Sequence, residues 1–107
     1  MKSNDPSDPE SNFASALRTA RTALGRSQED FDVVSSRTYV SNLERGIKVP
    51  TIRKVDSLAA VLGIHPLTLL ALSYIDTRKA TESDLRTLLT GVFDETAGLL
   101  KETSASS

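Results

Sequence analysis

Apolar residues recur at helical spacing through most of the chain, and the breaks between the runs are as informative as the runs. Phe13, Leu17, Ala20 and Leu24 follow one another at intervals of three or four and stop at Gly25, which predicts an amphipathic helix and its end. Ser27-Gln28-Glu29 opens a second, short helical stretch. A third begins after Ser36. At about 100° per residue, Arg37, Thr38, Ser41, Asn42 and Arg45 fall within about 140° of arc on one side of it, with Val40 and Leu43 opposite. Thr51 can cap a fourth helix whose stripe is Ile52, Val55, Leu58, Ala59 and Leu62 and whose stop is Gly63. Pro66 suits the first position of a fifth, running through Leu67, Leu70 and Ala71, with His65 before it as the cap.

The two ends differ in kind. Residues 1–11 combine Ser, Asn, two Asp-Pro pairs and Glu without apolar periodicity, so they are expected to be a disordered leader. Residues 75–80 have the composition of a connector. Thr81 then caps a last helix over 81–102, with Asp84 placed to complete a capping box, and 103–107 form a disordered tail. The apolar positions of this helix are Leu85, Leu88, Leu89, Val92, Phe93, Ala97, Leu99 and Leu100. They cover too much of its surface to be left bare, which predicts dimerisation through Leu85, Leu89, Val92, Phe93, Leu99 and Leu100. Gly91 and Gly98, seven apart, either weaken the helix or admit a partner helix closely.

Composition narrows the class. With 107 residues, 38% of them apolar, there is room for one small helical domain and an appendage. The chain has no Cys, which excludes disulfides and cysteine-rich zinc sites. Its one His has neither Cys nor clustered acids around it in sequence, so neither a metal site nor a catalytic residue is expected, and no cofactor. No apolar run reaches membrane-spanning length, and the expected location is the cytoplasm. A net charge of −1 looks unsuited to an acidic partner until it is divided. Residues 12–74 carry eight basic and five acidic side chains, whereas the segments on either side are each net negative. The positive excess therefore coincides with the polar helix, and its modest size predicts salt-sensitive binding by a dimer.

Each exposed residue on the arc from Arg37 to Asn42 can hydrogen-bond or carry positive charge, the chemistry that reads base edges and phosphates in a major groove. Arg37 suits guanine, Asn42 suits adenine, and Thr38 can touch a thymine methyl; with Ser41 these are the expected base contacts.

The motifs Arg21, Leu24-Gly25, Ser27-Gln28-Glu29, Tyr39-Val40-Ser41, Leu43-Glu44-Arg45-Gly46, Pro50-Thr51 and Leu58-Ala59-Ala60-Val61-Leu62-Gly63 stand in one order over residues 13–73. In that order and spacing the chain resembles the lambda-repressor-like helix-turn-helix domain of the XRE (Cro/CI-type) transcriptional regulators. The resemblance implies an all-α fold: a five-helix DNA-binding domain over 12–74, followed by the C-terminal dimerisation helix. It also implies an ion pair between Arg21 and Glu44, with Glu44 at the edge of the buried face, and a phosphate grip by Gln28. Phosphate contacts are expected as well from Ser36, Tyr39, Arg45, Lys48 and Thr51, although Tyr39 can instead pack on the second helix. In the family an Ala-Gly turn usually precedes the recognition helix. Here Phe31-Asp32-Val33-Val34-Ser35-Ser36 is shorter, so the second helix or its turn is expected to be tighter.

The function implied is a sequence-specific DNA-binding transcriptional regulator, a repressor acting as a homodimer on double-stranded DNA. An antitoxin-type protein that holds a partner protein and autoregulates its promoter is the alternative. An enzyme is not expected, because no nucleophile–base pair, phosphate-cradling glycine loop or metal cluster is present in the sequence.

Overall fold

The computed structural model describes residues 9–106, and over them the chain is helical with short connections. Its elements are α1 (Pro9–Ala23), a one-turn 3-10 helix (Gln28–Phe31), α2 (Arg37–Glu44), α3 (Ile52–Leu62), α4 (Pro66–Ser73) and α5 (Glu82–Ser106). Two boundaries differ from those expected. Helix α1 starts at Pro9, inside the segment read as leader, and α5 continues through residues 103–106, which were expected to be tail. Propensity explains both: Pro suits a first helical turn, and nothing after Lys101 breaks a helix. The rest of the leader, residues 1–8, lies outside the described residues.

Most helix ends are set by local chemistry. Ser36 Oγ accepts from Tyr39 N–H at 3.1 Å to start α2, and Thr51 Oγ1 accepts from Lys54 N–H at 3.1 Å to start α3. At α4, Nδ1 of His65 accepts from Leu67 N–H at 3.0 Å. Thr81 and Asp84 form a reciprocal capping box before α5: Thr81 N–H donates to Asp84 Oδ2 at 2.9 Å and Asp84 N–H to Thr81 Oγ1 at 3.1 Å. Gly63 ends α3 at φ +74°, a left-handed backbone that a residue with a Cβ adopts only with strain.

The tighter connection before α2 takes the form of the 3-10 turn. Ser27 N–H donates to the Asp30 carboxylate at 2.8 Å, and the N–H groups of Val34 and Ser35 both close on the Phe31 carbonyl at 2.9 Å. The chain thus passes from one tight turn into the next with no room for a full α-helix.

Phe13, Ala16, Leu17 and Ala20 of α1 meet Phe31, Val40, Leu43, Val55, Leu58, Ala59, Leu62 and Leu69 in one buried cluster. Helix α1 packs against α2 and α4, and α3 packs against α4. Three residues expected in the stripes of the domain fall outside it, among them Leu67, which faces away from the core in the first turn of α4 and is 66% exposed. Leu24 lies past the end of α1 and is 46% exposed, and Ile52, at the first position of α3, is 82% exposed. Helix α5 packs extensively on no other element among the described residues, so Leu89, Val92, Phe93, Leu99 and Leu100 remain exposed and Leu85 is half-buried.

Candidate nucleic-acid interface

Helix α2 is held to the domain by Val40 and Leu43, both fully buried, so the opposite arc is fixed facing outward. On that arc Arg37, Thr38 and Arg45 are exposed, while Ser41 and Asn42 are half-buried. The chain leaves α2 through Gly46, whose φ of +74° lets Ile47 N–H reach back to the Asn42 carbonyl at 2.9 Å. The N–H of Lys48 approaches the same carbonyl at 3.4 Å, bringing the exposed Lys48 to the C-terminal end of the arc.

Beneath the arc lies an ion pair. Glu44 is 3% exposed and receives two hydrogen bonds from one guanidinium, Arg21 Nε to Oε2 at 2.6 Å and Nη2 to Oε1 at 2.9 Å. This bidentate geometry satisfies a carboxylate that would be costly to bury alone. The hydrogen bond to Glu44, opposed by partial burial, holds the Arg21 guanidinium above its already high ordinary pKa. Arg21 Nη1 also donates to the Arg26 carbonyl at 3.0 Å, tying the loop after α1 to the same pair. Arg18, which sequence reasoning passed over, donates to the Glu44 carbonyl from the preceding turn of α1.

The residues expected at phosphates are placed less uniformly. Gln28 Nε2 donates to Glu44 Oε1 at 3.2 Å, so one of its two amide N–H groups is engaged inside the domain and the other is left for a ligand. Ser36 and Thr51 use their hydroxyl oxygens as caps, which leaves the O–H of each to donate. Tyr39 is half-buried and packs against the core, with Lys54 Nζ 5.3 Å from its ring centroid. Lys54 also donates to the Val34 carbonyl at 2.9 Å, stapling α3 to the turn before α2.

The acids nearest the arc were not foreseen as part of it. Arg37 Nη2 lies 3.5 Å from Glu29 Oε2 and 3.9 Å from Asp32 Oδ2, both on the stretch around the 3-10 turn. They precede Arg37 by eight and five residues, but the 3-10 turn and α2 are separate elements, so helical spacing does not relate them. Only the fold of the connection brings them to the first residue of α2.

The site is thus a short outward-facing helix, entered by a tight turn and clamped from beneath by a buried Arg–Glu pair. The family model described as helix-turn-helix matches residues 17–69, about half of the chain. The chain belongs to the lambda-repressor-like, XRE-type helix-turn-helix family. This is a DNA-binding regulatory domain family and not an enzymatic one, and its ligand is double-stranded DNA. Searches of curated proteins and of solved structures return no match. No single helix among the described residues is long and apolar enough to cross a membrane.

Proposed function

We propose that this helix-turn-helix protein is a transcriptional repressor that binds a pseudo-palindromic operator as a homodimer. The observation that carries the reading is the outward arc of α2, where five polar or basic residues lie opposite the buried Val40 and Leu43. Helix α2 lies in the major groove. Arg37, Thr38, Ser41 and Asn42 read base edges, and Gln28, Ser36, Tyr39, Arg45, Lys48 and Thr51 hold phosphates on either side. Arg21 and Glu44 set the tilt of α2 and touch no DNA.

Helix α5 supplies the second half of the design. Its uncovered leucines and Phe93 meet the same face of a second copy, and the twofold pair presents two copies of α2 about one DNA turn, about 34 Å, apart. Occupying promoter DNA then blocks transcription. Selection of bound duplexes from a random pool tests the whole reading: two half-sites related by a dyad at that spacing are expected, and no enrichment of any sequence would overturn it.

The same bare α5 face favours one second reading, an antitoxin whose last helix holds a partner protein and whose DNA binding is autoregulatory. Mass separates the two. A purified chain that sediments as a dimer supports the homodimer, and a strict monomer supports the partner-binding form.

A further inference from the structure

We propose that Glu29 and Asp32 determine specificity by acting through Arg37, holding its guanidinium so that it takes a base edge in preference to a phosphate. This rests on the reading of α2 as the recognition helix. The two carboxylates stand 3.5 and 3.9 Å from Arg37 Nη2, beyond the usual range of an N–H···O hydrogen bond. They therefore orient the guanidinium by charge without consuming its five N–H donors. The side chains of Arg37, Glu29 and Asp32 are 58%, 69% and 54% exposed, so solvent screens the pairs and they add little to stability. Their effect falls on whatever Arg37 meets.

A phosphate brought to Arg37 sets a full negative charge beside both carboxylates and has to displace them. Guanine O6 and N7 offer two neutral acceptors to the same fork of donors, and the carboxylates can stay. The acid pair thus taxes the sequence-blind contact and spares the sequence-reading one. Asp30, between them in sequence, is differently employed: its carboxylate accepts from Ser27 N–H at 2.8 Å.

The test compares full-length Glu29→Gln/Asp32→Asn, Asp30→Asn and Arg37→Ala with the parent chain on selected operator and on random-sequence duplex across a salt series. For the double variant, random-duplex affinity is expected to rise about three- to tenfold with a steeper salt dependence, as one more phosphate contact adds about 0.9 to the slope. Preference at the base pair read by Arg37 should relax at the same time, and the thermal melt should stay where it was. Asp30→Asn, whose side-chain oxygen can still accept from Ser27, should leave that preference unchanged, and in an Arg37→Ala background the double substitution should no longer alter it. A double variant identical to the parent in random-duplex affinity and base preference overturns the proposal, as does an Asp30→Asn variant that reproduces its full effect, which would reduce the matter to net charge. If Arg37→Ala alone leaves base preference intact, the recognition-helix reading falls and takes this proposal with it.

Discussion

Phe31, Leu17, Leu43, Leu58 and Leu69 of the helix-turn-helix domain are fully enclosed, whereas on α5 Phe93, Leu99 and Leu100 stay about two-thirds exposed. Both regions carry large apolar residues at helical spacing, so the difference does not lie in the pattern. In the domain the helices are short, and left-handed glycines or tight turns fold each back onto its neighbours, so that several apolar stripes converge. Helix α5 follows a connector and runs 25 residues without a turn to return it. A stripe is covered only where the chain supplies a second surface, and among the described residues none is supplied to the apolar face of α5.

The strongest way to break this comparison is to attack the polar contact that the domain buries. Removing one partner of a buried ion pair typically costs about 3–5 kcal/mol, so Glu44→Ala and Arg21→Ala should each lower the melting temperature more than Arg37→Ala does. Thermal unfolding followed by circular dichroism checks this. A Glu44→Ala protein of full stability that has lost only DNA affinity would make Glu44 a contact residue instead of scaffold.

Removing α5 sharpens the comparison from the other side. Truncation after Arg78 should leave a folded, monomeric domain, and Phe93→Glu in the full chain should dissociate the dimer. Either change should weaken operator binding by about a hundredfold or more, since joining two half-site readers raises avidity by roughly 10²–10⁴. Sedimentation of the truncated form decides. A dimer that persists without α5 moves the interface onto the domain, where Leu67 of α4 and Tyr74 just after it are 66% and 75% exposed.

Arg37→Ala should cost roughly 1–3 kcal/mol on the operator and relax preference at one base pair, with folding unaffected. Titration of single-base operator variants reads both terms. Smaller still is the effect of the α5 glycines. With Leu85 as origin and about 100° per residue, Gly91 and Gly98 fall on the polar side of α5, and a Cβ added at either meets nothing within 4 Å. Gly91→Ala and Gly98→Ala should therefore each stabilise α5 by about 0.5–1 kcal/mol without disturbing dimerisation. Loss of the dimer in either variant would show that a partner helix approaches there.

The connector between the two regions gives the smallest effect. Hydrogen bonds from Arg78 hold the Asp76 carboxyl below the usual carboxylate range. A carboxyl with a lowered folded pKa contributes stability above its unfolded value and loses it as pH falls through the folded one. Asp76→Asn should thus slightly lower the melting temperature near neutral pH, and the difference from the parent chain should vanish in acid.

Much of the domain was legible because its signals are local. Thr51 and Gly63 bracket α3, Pro66 starts α4 and Thr81 with Asp84 starts α5, each through a hydrogen bond or backbone preference spanning a few residues. Ile52 misled because a stripe read by spacing does not say that the first residue of a helix projects beyond the neighbour covering the rest. The pairing of Glu29 and Asp32 with Arg37 could not be read from spacing, because the three residues do not share one helix.

What the amino-acid sequence determined by itself was the order of the helices, most of their caps and the division of α2 into an apolar side and a polar one, since these follow from backbone preference and side-chain spacing along a single element. Beyond the Arg21–Glu44 pair and the Thr81–Asp84 box, tertiary structure alone decided which polar groups meet. The amide of Gln28 goes to Glu44, Lys54 crosses to the carbonyl of Val34, and two acids of the tight turn come to stand beside Arg37. Those contacts depend on how one turn is packed against the next, and a change of a few ångströms in that packing is invisible to periodicity yet enough to make or break an ion pair.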